Sequence, residues 1–202
     1  MEPDQTPNIA ILLLAAGQSS RMRGRDKLLE EVDGAPLLST MVKRAQATGC
    51  SVFVTLPNME HQRASLIGSA TPIMVPDASD GMAASIRRGV AALPKYIKAV
   101  MILPADMPEL TSQDFLAVLQ AYTSEDRAIL RGASADGRPG HPVLFPRECF
   151  EDLIVLKGDQ GARALLKSGT YSVRLVPLPE EHALTDLDTP EAWARWRAQQ
   201  NI

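Results

Sequence analysis

The sequence predicts an α/β fold in three layers, a mostly parallel sheet covered by helices on both faces. Three observations lead there. Apolar runs of strand length recur along the chain, stretches of helical periodicity separate most of them, and Gly and Pro are spread as turn punctuation rather than gathered into a linker. Strands that alternate with helices must cross over to reach their neighbours, which makes the sheet parallel and buries both of its faces.

The strand-length runs fall at residues 9–14, 51–55, 73–75, 99–103, 128–130, 142–145 and 172–176. Between them Leu37, Leu38, Met41, Val42 and Ala45 share one helical face, with Gly49 placed to end that helix. Phe115, Leu116, Val118 and Leu119 mark a second helix behind the capping hydroxyl of Thr111. The last helix starts at Thr189-Pro190, a hydroxyl cap followed by the residue best tolerated at a first helical position. It carries Trp193 and Trp196, read as packing aromatics. Residues 1–8 are polar and acidic and read as a flexible tail; residues 9–202 read as a single domain.

Composition narrows the function. A chain of 202 residues that is 45% hydrophobic can bury a proper core. Its 21 Lys and Arg are balanced by 24 Asp and Glu, so no overall positive field draws a nucleic acid. Cys50 and Cys149 lack the spacing of a zinc site or a redox pair and read as buried thiols in a reducing compartment. The longest apolar run, residues 9–16, falls far short of the roughly 20 residues that span a bilayer. The opening residues lack the basic start and cleavage site of a signal peptide. The expectation is a cytoplasmic protein with neither a nucleic acid nor a membrane as partner.

Beyond the first strand the chain reads Leu14-Ala15-Ala16-Gly17-Gln18-Ser19-Ser20-Arg21-Met22-Arg23-Gly24-Arg25-Asp26-Lys27. Small residues let backbone N–H groups approach a ligand, and the cations that follow suit a polyphosphate. The place is right as well, because open α/β sheets bind ligands beyond the carboxyl ends of their strands. Neither the dinucleotide pattern Gly-x-Gly-x-x-Gly nor the P-loop pattern is present, so this is another kind of nucleotide loop. Asp106, in Pro104-Ala105-Asp106-Met107-Pro108, stands at the carboxyl edge of a strand like a metal ligand. Magnesium takes one or two carboxylates plus phosphate oxygens, so a second acid should converge from elsewhere. Asp186 and Asp188, in Thr185-Asp186-Leu187-Asp188-Thr189-Pro190, are the candidates, although stabilising a helix N-terminus would by itself account for acids there.

The run Leu-Ala-Ala-Gly-x-Ser-x-Arg-Met followed by Lys resembles the opening signature of the molybdenum cofactor nucleotidyltransferases. Ala15-Ala16-Gly17 resembles the cytidylyltransferase subgroup, since guanylyltransferases typically carry Ala-Gly-Gly there. Further motifs of the family recur in order at Gly81-Met82-Ala83-Ala84-Ser85, residues 104–108, Gly140-His141-Pro142-Val143-Leu144, Gly158-Asp159-Gln160-Gly161-Ala162-Arg163 and residues 185–190. One departure is Arg23, which separates Met22 from Gly24 where the tightest form of the pattern has Gly directly after Met.

The resemblance implies a Rossmann-like three-layer sandwich of the nucleotide-diphospho-sugar transferase type. It implies transfer of CMP from CTP to the terminal phosphate of molybdenum molybdopterin, with pyrophosphate leaving and Mg2+ as cofactor. Arg21, Lys27 and Asp106 would be catalytic. Leu14, Ala15, Ala16, Gly17, Arg21, Lys27, Gly81, Met82, Ser85 and Asp106 would bind the nucleotide, with Arg23 and Arg25 as electrostatic support. Asp106 and Asp188 would hold the metal, Asp186 supporting or competing, and His141 and Asp186 would face the acceptor. Asp159 would cap a helix starting at Gly161, with Arg163 pointing inward or pairing with it. Three other readings stay open: a sugar or polyol phosphate as acceptor, GTP as donor, or a non-catalytic carrier that delivers molybdenum cofactor to a hydroxylase.

Overall fold

The computed structural model describes residues 8–123, 125, 127–158 and 161–200. In chain order its elements are β1 (Ile9–Leu14), β2 (Glu31–Val32), β3 (Ala35–Pro36), α1 (Leu37–Gln46), β4 (Ser51–Leu56), β5 (Thr71–Met74), α2 (Met82–Ala91), β6 (Ala99–Pro104), α3 (Ser112–Ala121), β7 (Ile129–Ala133), β8 (Pro139–Pro146), α4 (Phe150–Leu153), α5 (Arg163–Lys167), β9 (Val173–Pro177) and α6 (Pro190–Gln200). The expected tail, apart from Asn8, and Asp159 with its expected capping role lie outside the described residues.

Seven strands make one sheet in the order β5-β4-β1-β6-β8-β7-β9. β1 lies parallel between β4 and β6, β4 is parallel to β5, and β7 is parallel to β9. β8 runs against both β6 and β7. Its inversion has a local cause. The link from β7 spans only residues 134–138, closed by Ser134 N–H to Arg138 O at 3.0 Å and Gly137 N–H to Ser134 O at 2.8 Å. A parallel return needs a dozen residues or more, so so short a link can only reverse the chain.

Side-chain alternation along β1 divides the core into two layers. Ile9, Ile11 and Leu13 pack with Leu37, Leu38, Met41 and Val42 of α1, Phe115 and Val118 of α3, and Trp193 and Trp196 of α6. Ala10 and Leu12 pack on the opposite face with Ile86 and Val90 of α2 and Phe150 and Leu153 of α4. The expected three-layer α/β architecture is the one observed. Cys50 and Cys149 are both buried, as expected.

Local signals account for where the helices begin and end. Gly49 takes φ 81°, a left-handed value that favours glycine, just past α1. Thr111 and Asp114 form a reciprocal capping box at the start of α3. The Ala192 N–H donates to Thr189 Oγ1 at 3.2 Å to open α6, and the Trp193 and Trp196 rings meet edge to face at 5.9 Å.

The chain steps outward from β1 to β4 and β5 on one side, then returns to β6 on the other. The carboxyl ends of β1 and β6 therefore flank a topological switch point, where crevices form in such sheets. The Ala105 N–H donates to Leu14 O at 3.1 Å and carries that pairing just past the strand ends.

Candidate active site

At the end of β1 the Ala15 N–H turns aside to Thr55 Oγ1 at 3.0 Å, and the loop begins. Arg63, 2% exposed, reaches in from the turn after β4. It donates to Ala15 O at 2.6 Å, Gly17 O at 2.7 Å, Ser19 Oγ at 3.0 Å and both carboxylate oxygens of Asp26 at 2.7 Å. Burial pushes the Asp26 pKa up, yet the Arg63 contacts outweigh it and hold that carboxyl below its usual range. Ser19 is left-handed at φ 51°, as is Arg23 at φ 53°. The backbone N–H groups of Ala16, Gly17, Gln18 and Ser19 have no hydrogen-bond partner among the described residues. Four consecutive free donors in a loop make a concavity suited to an anion. The extra residue of the loop, Arg23, is absorbed by its left-handed turn and pairs with Glu191 of α6 at 2.6 Å. Arg25 pairs with Glu30 at 3.5 Å.

Lys27 closes the loop. Its ammonium contacts the Asp106 Oδ2 and lies 2.7 Å from Asp188 Oδ1. Arg21 holds the other Asp188 oxygen at 2.7 Å, and the Leu187 N–H donates to Asp106 O at 3.2 Å. The amino-terminal loop, the end of β6 and the turn before α6 thus meet at one ammonium group. Lys27, read from sequence as a triphosphate contact, is here the cation shared by the two acids read as metal ligands. Two close carboxylates need a counter-ion, and their charges outweigh desolvation to raise the Lys27 pKa. Desolvation pushes the Asp188 carboxyl up, but Lys27 and Arg21 pull it below its usual range. Asp186, beside them, is raised by desolvation and then by the charges of Asp106 and Asp188.

Asp106 is 6% exposed, and its Oδ1 is buried with no partner. An orphaned carboxylate oxygen suits a cation. Among the described residues no cluster of three or more acid, His or Cys side chains stands ready to ligate an ion. Two carboxylates fit a hard divalent cation that takes its remaining ligands from substrate phosphate and water.

Two cavities meet here. One, of about 330 Å3, is lined by every sequence-proposed nucleotide contact except Arg21: Leu14, Ala15, Ala16, Gly17, Lys27, Gly81, Met82, Ser85 and Asp106. Ser85 is buried on α2 rather than facing solvent. The neighbouring cavity, of about 310 Å3, shares Leu14 and Met82 as a common wall and is lined by Ile102, Arg131, His141, Val143, Phe145 and Arg163 among others. Burial, then the Arg131 charge, lowers the His141 pKa to about 4, and its Nδ1 is buried without a partner. His141 is therefore a neutral group near pH 7. Asp186 lines neither cavity, so the two acceptor candidates do not share a wall. A larger space of about 660 Å3 opens on the other side of the loop, between Gly17 and Asn58, but does not include Asp106.

Residues 11–175 match the family described as the MobA-like NTP transferase domain. The chain belongs to that family. This MobA-like transferase is 32% identical to the purine catabolism protein PucB of Bacillus subtilis (strain 168), over 94% of this chain and 96% of that one. It is 30% identical to the molybdenum cofactor cytidylyltransferase of Escherichia coli (strain K12), over 91% and 92% of the two chains. Among solved structures, Rv0371c of Mycobacterium tuberculosis H37Rv is similar with a TM-score of 0.82 at 25% identity, covering 95% of this chain and 98% of that one. A manganese complex of Rv0371c is also known. The chain is thus a nucleotidyltransferase, and its sheet and helices are those of the nucleotide-diphospho-sugar transferase type.

Four polar residues of this candidate site carried no assignment from the sequence: Thr55, Asp26, Arg63 and Arg131. Arg63 had no sequence signal, since its partners lie 37 to 48 positions away and only folding joins them. Arg131 did leave one, a lone cation inside the apolar run of β7. Its guanidinium bonds Gly140 O at 2.9 Å and Pro139 O at 3.1 Å, and burial followed by the Arg163 charge lowers its pKa. Arg163, exposed at the start of α5, lines the second cavity, while Asp159, its other expected partner, lies outside the described residues.

Proposed function

We propose that this transferase moves CMP from CTP to the terminal phosphate of a molybdopterin-type acceptor and releases pyrophosphate. One observation carries the reading: the loop of free N–H donors, Asp106 and Asp188 converge on Lys27, beside the wall between two cavities. The cavity beside the loop takes the nucleotide, and the apolar cavity with Arg131 and Arg163 takes the acceptor, so donor and acceptor meet at Leu14 and Met82.

A terminal phosphate is already ionised near neutral pH, so the attack on the α-phosphorus needs no strong base. The neutral His141 suits this, as it serves to orient the acceptor while the arginines supply charge. The free N–H groups of residues 16–19, Arg21 and Lys27 hold the triphosphate and stabilise the charge that builds on the leaving pyrophosphate. Asp106 and Asp188 would hold a divalent cation, which when bound supplies positive charge to the reacting phosphate oxygens. Mg2+ is the proposed ion, and the manganese complex of Rv0371c supports a divalent metal. CTP rather than GTP is supported by Ala15-Ala16-Gly17 and by the cytidylyltransferase relative. On this reading residues 9–202 work as a single domain in the cytoplasm, and a molybdenum hydroxylase receives the product.

The test is a pyrophosphate assay with CTP or GTP, Mg2+ or Mn2+, and each candidate acceptor. Release with CTP and molybdenum molybdopterin is expected. Release with a sugar phosphate alone would move the chain to another acceptor, GTP dependence would overturn the base, and silence with every pair would leave only a carrier role.

A further inference from the structure

The buried Arg63 belongs to no motif and does not touch the Lys27, Asp106 and Asp188 cluster, yet it organises the loop that leads there. We infer that Arg63 is a positioning residue for nucleotidyl transfer, one that fixes the shape in which the loop offers its N–H groups to a triphosphate. The inference rests on the proposed role of that loop as the triphosphate cradle.

A loop that grips phosphate must keep its own carbonyl oxygens out of the anion's way. One guanidinium nitrogen, Nη1, collects the carbonyls of Ala15 and Gly17, on either side of Ala16. The N–H groups of residues 16–19 are left unpaired. The same guanidinium anchors the far end of the loop through a two-pronged contact with Asp26. It also donates to Ser19 Oγ, which in turn donates to Asp26 Oδ1 at 3.2 Å and accepts from the Lys27 N–H at 3.4 Å. Ser19 holds a left-handed backbone that non-glycine residues seldom adopt, and its side chain is pinned from three directions. Lys27 follows Asp26 directly, so the position of its ammonium depends on the same anchor. Arg63 lines the cavity beside the loop, but at 2% exposure it offers little surface there, and the Asp26 carboxylate balances its charge. Its contribution is therefore shape rather than attraction. Lysine cannot substitute for it, because a single ammonium cannot span a carboxylate fork and two carbonyls at once.

The experiment compares CTP with CMP binding by calorimetry in the presence of Mg2+, because only the triphosphate uses the whole cradle. The unmodified protein is expected to bind CTP at least about tenfold more tightly than CMP, given the extra charge-assisted hydrogen bonds. In Arg63→Lys and Arg63→Gln that preference should fall to about twofold or less, mainly through weaker CTP binding, as the fork geometry is lost. Added guanidinium should restore the preference in Arg63→Ala, a rescue that a general loss of packing would not show. The paired variant Arg63→Met with Asp26→Leu removes both buried charges without orphaning either, so it tests the same point where a single variant folds poorly. If the unmodified protein binds CMP as tightly as CTP, the cradle reading itself fails. If it discriminates and the Arg63 variants discriminate equally well, the positioning role is overturned. It is equally overturned if no variant unfolds cooperatively, since Arg63 would then serve folding alone.

Discussion

His141 should make the protein acid-labile in a window that opens well above the range in which its carboxylates titrate. Burial, then the Arg131 charge, lowers its pKa from the ordinary 6.5 to about 4. In the unfolded chain the imidazole picks up a proton as pH falls through 6.5, whereas in the folded protein it stays neutral down to about 4. Between those values the unfolded state binds more protons, so stability is lost as pH falls. Fully expressed, the gap between those two values corresponds to about 3 kcal/mol. For a chain of this length that lowers Tm by roughly 6–12 °C. Asp186 works in the opposite direction near the lower end of the window, because its raised pKa favours the protonated folded form as pH falls.

The assay that isolates His141 compares urea unfolding of the unmodified protein and of His141→Gln from pH 7.5 to pH 4.5. The glutamine cannot titrate, so the difference between the two curves removes Asp186 and every other shared group. The unmodified protein should lose about 2–3 kcal/mol more than the variant across that range. Curves that fall in parallel would refute the argument, and would mean that His141 is solvated enough to protonate in place.

Three further outcomes are expected. Asp106→Asn should lower turnover by about a hundredfold or more while the protein still folds, because Lys27 keeps Asp188 as its partner; pyrophosphate release at the normal rate would remove Asp106 from the chemistry. Arg131→Gln should raise KM for the acceptor and leave KM for the nucleotide unchanged, since Arg131 lines only the second of the two cavities that meet at Leu14; a matching rise in both would place one ligand across the shared wall. Gly89→Ala should cost about 1–3 kcal/mol by overpacking, because its Cβ would come 2.4 Å from Leu12 Cδ2 in the core. An unchanged urea midpoint would show that Leu12 has room to move aside.

Much of the fold was legible because burial is written into local composition. The continuous apolar run of β1 sits at the centre of the sheet, and the caps at Thr111 and Thr189 mark real helix starts. Strand ends were less legible. The run at 142–145 is only the middle of β8, whose ends at Pro139 and Pro146 are set by pairing with neighbours on both sides. β8 is inverted because its link to β7 is short, which apolar periodicity does not report. In the site, the small-residue loop, Lys27, Asp106 and Asp188 stood out because their chemistry is concentrated in short motifs. The partnership of Arg63 with the loop, and the neutrality of His141, arise from burial and from neighbours distant in sequence, so no local pattern carried them.

The Lys27 cluster has a physical cost that its architecture does not require. Lys27 lies 79 and 161 positions from its two partners, and all three side chains are at most one-fifth exposed. Desolvating three charges is unfavourable, and apolar residues of similar volume often stabilise such positions equally well or better. The surrounding elements are held by other means: β1 and β6 by a continuous parallel ladder, and α6 by its buried tryptophan pair. The charges are thus superimposed on a frame that stands without them. What they add is a site where acids from two distant segments are kept close by one ammonium group, and on the proposed function a divalent cation would take its place between the acids while the ammonium turns to the phosphates.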